Sequence, residues 1–207
     1  IGVDVGIRRL ATTSTGVSYT GDAIARKRQW YLRRRSELQQ VGTKSAKRRL
    51  RQLSGKERRF RKDTNHVISK QIVAVAKGTR SGIAMENLKG IGKRVTVRKK
   101  QRAMFSGWSF YQLQQFIRYK AESQGVVVVC IDPHYTSQCC SKCFHIERGN
   151  RRSQSEFCCR RCGHAEHADP GAAKVIRILG LRQWSYGVEV VLMRLQLQAA
   201  AFEAIVS

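Results

Sequence analysis

Cys140-Ser-Lys-Cys143 and, after fifteen intervening residues, Cys159-Arg-Arg-Cys162 are the stretch that decides how this chain is read. Two Cys-x-x-Cys pairs at this separation form tight knuckles that can close a tetrahedral structural zinc site, with a short ribbon between them. Cys139 and Cys158 adjoin two of these residues and offer a shifted register, but the two-residue spacing favours Cys140, Cys143, Cys159 and Cys162 as ligands. His145 and His164 are read as surface residues, substitutes only if a thiol were lost. Cys130, inside an apolar run, is a small core filler. Seven cysteines with no signal peptide before them fit a reducing cytoplasm better than a disulfide-bonded secreted protein.

Acids flank this ribbon in sequence. Directly after it comes Ala165-Glu-His-Ala-Asp169-Pro-Gly-Ala-Ala173, which opens a helix expected over Pro170–Leu179. Asp169 followed by proline is also a good helix N-cap. Far upstream, Ile1-Gly-Val-Asp4-Val is an apolar strand carrying an acid, and Ser81–Met85 is a short buried strand delivering Glu86 at its end. Leu10–Thr15 and Val17–Thr20 read as hairpin strands around Gly16, and Val126–Ile131 as a central strand covered on both faces. Helices are expected over Asn65–Ala76, ended by Gly78, and over Trp108–Ser123, closed by Gly125; Ile91–Gln101 reads as a mobile basic loop. Trp108, Phe110 and Phe116 are assigned to the core.

This order is α/β, and in α/β sheets functional groups gather beyond the carboxyl ends of strands. Asp4, Glu86 and Asp169 can meet there. Three carboxylates in one place repel one another unless divalent cations neutralise them. Mg²⁺ suits such oxygen ligands, and a pair of ions could cleave a phosphodiester. Asp132 is a reserve acid, better suited to capping a loop.

The charge balance points the same way. There are 40 Lys+Arg against 14 Asp+Glu, a formal charge of +26, which is the footprint of a nucleic-acid partner. Sixteen of the cations fall between Ile24 and Lys62, against only Glu37 and Glu57, in two helices broken at Gly42-Thr43. Arg33, Arg34, Arg35, Arg48, Arg49, Arg58 and Arg59 would hold nucleic-acid backbone, with Trp30 and Tyr31 as stacking candidates. No run reaches the roughly 18 apolar residues of a membrane span, so no membrane partner is expected. The chain starts at Ile1, already inside a core strand, and is read as beginning within a longer gene product.

Taken together, Gly2-Val-Asp4-Val-Gly6-Ile, Phe60-Arg-Lys-Asp-Thr-Asn-His66, Ala84-Met-Glu86-Asn-Leu-Lys-Gly90, Phe105-Ser-Gly-Trp-Ser109, Asp132-Pro-His-Tyr135-Thr-Ser-Gln138, the cysteine ribbon and His167-Ala-Asp169 resemble the TnpB/OrfB family. These are transposon-encoded RNA-guided endonucleases related to type V CRISPR effectors. The resemblance spans residues 1 to 178. It implies an RNase H-like (RuvC) mixed sheet flanked by helices, nuclease parts at 1–133 and 167–207, and a four-cysteine zinc ribbon inserted at 134–166. It also implies Asp4, Glu86 and Asp169 as catalytic acids holding Mg²⁺ or Mn²⁺, structural Zn²⁺ on the four cysteines, DNA and a guide RNA as partners, and a prokaryotic, nucleoid-associated cytoplasmic site of action. Target and guide reading would belong to an N-terminal half that this chain lacks. The family's asparagines after the last acid are replaced by Gly171 and Val175, its glycine after the second cysteine by Phe144, and the tail beyond Leu179 is atypical. A catalytically silent nucleic-acid-binding relative is the alternative reading. A purely structural zinc protein explains neither the charge nor the acids.

Overall fold

The computed structural model describes residues 1–6, 9–19, 22–88, 110–185 and 187. The expected basic loop over 91–101, the 105–109 motif with Trp108, and the tail over 188–207 lie outside the described residues.

Four strands, β1 (Gly2–Asp4), β2 (Thr12–Thr13), β3 (Ile83–Glu86) and β4 (Val128–Ile131), form a mixed sheet in the order β2-β1-β3-β4. β2 is antiparallel to β1 and bridges onward to Ser18 around the Gly16 turn, whereas β1, β3 and β4 run parallel. Parallel neighbours require long crossovers. The first crossover carries α1 (Asp22–Val41) and α2 (Lys44–Gly78), and the second carries α3 (Phe110–Glu122). A fourth helix, α4, runs through residues 168–185, past the end expected at Leu179.

Alternation of the strands sorts the core. Val3, Ile83 and Met85 face Ile68, Ile72, Val73 and Ala76 of α2 and Leu113 and Ile117 of α3, all buried. Ala84 and Ile131 face Ile176 of α4 on the other side of the sheet. Two glycines allow α4 to come this close. A Cβ at Gly2 would stand 2.0 Å from the carbonyl oxygen of Ala173, and one at Gly180 would stand 2.3 Å from the Ala84 Cβ. Glycine here fixes the helix-to-sheet distance, and with it the place of the residues at the start of α4.

Two sequence expectations are corrected. The segments 44–62 and 65–76 are not separate helices: α2 is continuous over 35 residues. Between them stand Asp63 and Thr64, neither a breaker, and the Thr64 hydroxyl donates to the Phe60 carbonyl 2.8 Å away. The break at Gly42-Thr43 does occur. Gly42 takes a left-handed φ of 68°, and the Thr43 side chain caps α2 by accepting the Ala46 N–H at 3.2 Å. The second correction concerns β4. It pairs only with β3 among the described residues, and Val128, Val129 and Cys130 are half-buried. It is an edge strand rather than a central one, so the filler role given to Cys130 is only partly met.

Candidate functional site

The register of β1 on β3, Val3 beside Met85, brings Asp4 and Glu86 to the same carboxyl edge of the sheet. Asp169 arrives from the other end of the chain, in the first turn of α4 and not at its cap. Asp4 feels the other two acids. Burial, then the charges of Glu86 and Asp169, push the Asp4 carboxyl up to about 8, against the opposing pull of Arg151 and the Val5 amide. Burial likewise raises Glu86, opposed by a hydrogen bond from Thr136 and by Arg151.

Side chains that sequence reasoning missed set this arrangement. Glu86 Oε1 accepts from the buried Thr136 hydroxyl. The amide of Gln114, buried on α3, donates to the Glu86 carbonyl and accepts the Leu88 N–H at 3.4 Å. The Asp169 carboxylate lies 4.0 Å from Arg9 and 4.0 Å from Arg151. Its N–H donates to His167 Nδ1 at 3.3 Å, which leaves the neutral imidazole proton on Nε2. A cavity of about 280 Å³ is lined by Asp4, Arg9, Arg151, His167 and Asp169, among others. Thr136 lies in the 132–138 segment already singled out by motif; Gln114 and Arg151 carried no sequence signal. Asp132 is exposed and accepts the His134 N–H at 3.0 Å, a turn acid as expected.

The acid cluster is a chemically suitable cation site. Its donors are hard oxygens, and burial together with the charges of Glu86 and Asp169 keeps Asp4 protonated at neutral pH. It is looser than the cysteine cluster, the group among the described residues whose ligand atoms all lie within 4.8 Å of one another.

The cysteine cluster is built by two copies of one turn. Cys140 N–H bonds the His145 carbonyl at 3.0 Å and Phe144 N–H returns to the Cys140 carbonyl at 3.0 Å; Cys159, His164 and Gly163 repeat this at 2.8 and 2.9 Å. Strands β5 (Glu156–Cys158) and β6 (Ala165–His167) pair antiparallel beside the second turn. Sγ separations are 3.7 Å for Cys140–Cys162 and 3.6 Å for Cys143–Cys159. A tetrahedral zinc with Zn–S of about 2.3 Å sets its sulfurs about 3.8 Å apart, whereas a disulfide needs about 2.05 Å. The site therefore fits zinc. His145 and His164 are half-buried and engage Glu147 and Glu166.

The two turns differ at one position. Gly163 has a φ of 71°, and its counterpart Phe144 is held at 58°, a left-handed value that costs a non-glycine about 1 kcal/mol. Phe144 is 52% exposed, so little packing would be lost on truncation. Phe144→Gly is expected to stabilise the zinc-loaded protein by about 1 kcal/mol in chemical denaturation; unchanged or lower stability would refute the strain.

The basic helices pack as a hairpin around an acid. Glu57 is 6% exposed and ion-paired to Arg35, near buried Tyr31, Leu53 and half-buried Phe60. Arg35 is thereby committed to Glu57, while Arg33, Arg34, Arg48, Arg49, Arg58 and Arg59 are exposed. Arg33 and Arg34 also flank Glu37. Tyr31, 5% exposed, is removed as a stacking candidate, because the hairpin buries it against Phe60; Trp30 remains 41% exposed, with Lys27 5.1 Å from its ring. Phe116 is not fully in the core: half-buried, it stacks on His66. Glu57→Ala is expected to cost about 2–3 kcal/mol by thermal or chemical unfolding, since it strands Arg35 among like charges, discounted for that side chain's 33% exposure. A loss below about 0.5 kcal/mol would show the pair to be a surface one.

Residues 1–90 match the OrfB_IS605 family, described as "Probable transposase", and residues 110–176 match the Cas12f1-like TNB domain. The CRISPR-associated endodeoxyribonuclease Cas12f1 of Sulfoacidibacillus thermotolerans is 44% identical over 131 residues, covering 61% of this chain and 29% of that protein. Cas12f1 of Syntrophomonas palmitatica is 35% identical over 181 residues, 79% of this chain and 35% of that protein. The chain is a relative of the TnpB/OrfB and Cas12f1 proteins. The TnpB-like protein MJ0751 of Methanocaldococcus jannaschii is 37% identical over 91 residues, covering 44% of this chain and 33% of that one. In fold, the chain superposes on a cryo-EM structure of a Cas12f1-sgRNA-target DNA complex with a TM-score of 0.67 at 23% identity, covering 84% of this chain and 48% of that one. The chain thus spans about a third of the length of these curated relatives. No described helix is long and apolar enough to cross a membrane.

Proposed function

We propose that this chain is the nuclease module of a transposon-associated, RNA-guided DNA endonuclease, with an RNase H-like (RuvC) domain at 1–133 and 167–207 and a zinc ribbon at 134–166. The observation that carries this reading is the parallel register that sets Asp4 and Glu86 on one sheet edge, electrostatically coupled to Asp169. Asp4, Glu86 and Asp169 would hold Mg²⁺ or Mn²⁺, which when bound supplies water activation and stabilisation of the leaving oxygen. Thr136 and Gln114 aim Glu86 from both ends of the residue. Arg9 and Arg151 shield Asp169 in the metal-free protein and present guanidinium groups to a phosphate entering the cavity. Cys140, Cys143, Cys159 and Cys162 would hold one structural Zn²⁺, keeping Arg151 and His167 on the rim.

DNA and a guide RNA are the partners, with the exposed arginines of α1 and α2 gripping phosphates. Relatives bearing this function are much longer, and guide and target selection would fall to portions they have outside the matched region. The setting is a reducing prokaryotic cytoplasm, on the nucleoid. Single-stranded DNA affinity should fall about 300-fold or more between about 50 and 200 mM salt if six or more phosphates are contacted. Fluorescence anisotropy showing a nearly flat salt dependence would refute a phosphate-dominated surface. Folded, zinc-loaded protein that binds DNA but never cuts it would favour the silent binding module.

A further inference from the structure

Glu166 lies on β6, three residues before Asp169, and its side chain is only 11% exposed. One carboxylate oxygen accepts from Ser141, between the two cysteines of the first turn. His164, which closes the second turn, holds Nε2 3.1 Å from that same oxygen. The other oxygen takes the Lys174 ammonium of α4 at 2.7 Å. Gly171 of α4 leaves the space this side chain fills: a Cβ there would stand 3.0 Å from the Glu166 oxygen. A single, largely covered carboxylate therefore touches both cysteine turns and the helix whose first turn holds Asp169.

We propose that Glu166 is a positioning residue that transmits closure of the four-cysteine site to Asp169. A carboxylate with so little contact with water depends on its partners staying in place. Ser141 and His164 stay in place only while both turns are closed. If the turns open, Lys174 alone remains, and the first turn of α4 loses its tie to the ribbon. Residues placed behind a metal's ligands in this way commonly alter metal affinity by about 10- to 100-fold. The proposal rests on the zinc and acid-site reading given above.

Hydrogen-exchange mass spectrometry on the zinc-loaded full chain tests it, with zinc affinity from chelator competition and Mn²⁺ affinity of the acid cluster from electron paramagnetic resonance. In the wild type, stripping zinc should speed exchange over residues 168–177. In zinc-loaded Glu166→Ala the same residues should exchange about tenfold faster while the amides of Cys140 and Cys159 stay protected, and zinc affinity should fall about tenfold. Lys174→Met cuts only the helix end of the link. It should speed exchange over 168–177, weaken Mn²⁺ binding and leave zinc affinity within about twofold. Unchanged exchange over 168–177 in both variants overturns the proposal. So does joint loss of protection in both turns and the helix, which would make Glu166 a plain structural residue of the ribbon. If wild-type protein shows no Mn²⁺ binding that Asp4→Ala removes, the acid-site reading has failed, and the exchange data still decide the link.

Discussion

Asp4→Ala is expected to lower Mg²⁺- or Mn²⁺-dependent cleavage of end-labelled single-stranded DNA at low salt by about 10³-fold or more, with the fold retained. Asp4 sits at the end of β1 beside Glu86, is not part of the apolar core, and is the acid whose carboxyl burial and the other two acids push to about 8. That shift gives the prediction a pH signature. Below about 8 the metal-free protein carries a proton on Asp4 that a cation must displace, so Mn²⁺ affinity should rise up to tenfold per pH unit and level off near pH 8. The same shift bears on stability with a definite sign. The folded value lies above the unfolded one, so the metal-free fold loses stability as pH rises from near 3.8 to about 8. Asp4→Asn removes that loss. It should melt higher than wild type at pH 8 without metal, yet bind Mn²⁺ far more weakly. Cutting by Asp4→Ala at wild-type rate would sink the acid-cluster reading outright; an Asn variant that melts lower would deny the crowding of charge at the site.

Loss of zinc should have the second large effect. Structural zinc sites contribute on the order of 10 kcal/mol to folding at neutral pH, and residues 134–168 offer few other buried apolar groups, chiefly Phe157 and Ala168 beside the cysteines. Cys159 is the ligand to remove. Burial opposes its ionisation, but backbone N–H groups of Cys162 and Arg161 and the neighbouring thiols draw it down to about 6, so it is ready to bind as thiolate. Cys159→Ser, or chelation, should take elemental analysis from one zinc per chain to none. Limited proteolysis should then cut within 134–167 while the sheet and α2 persist. Cleavage should fall as steeply as in Asp4→Ala, because Arg151 and His167 reach the cavity from this segment. No zinc in freshly purified, reduced wild-type protein would remove the zinc site from the account.

Much of this was legible in residue order, and the reasons are physical. Cys-x-x-Cys is a local geometry, so the pairing of turns follows from spacing alone. Asp4 and Glu86 were visible because an acid that ends an apolar run must leave the core there. What joins distant segments was not visible. Thr136 on Glu86, and Arg151 near the acids, depend on how loops return to the sheet, which no periodicity encodes. The unity of α2 was missed because its two halves differ in character, one charged and one apolar, whereas helix continuity depends only on the absence of a breaker. β4 read as central because four successive valines precede Cys130, yet strand composition does not reveal how many neighbours a strand has. Glu57, one of two acids among sixteen cations, was the clue to the hairpin's interior.

At 35 residues α2 is about 52 Å long. Its C-terminal part, from Asn65 to Ala76, packs against the sheet and α3; the part before it pairs with α1 in the basic hairpin. It is mechanically a cantilever, held at one end. A load on the far arm would act at a distance on the clamp. The clamp's last turn leads through Thr79–Gly82 directly into β3, the strand that ends in Glu86. The basic hairpin and the acid edge are thus joined through one stiff beam.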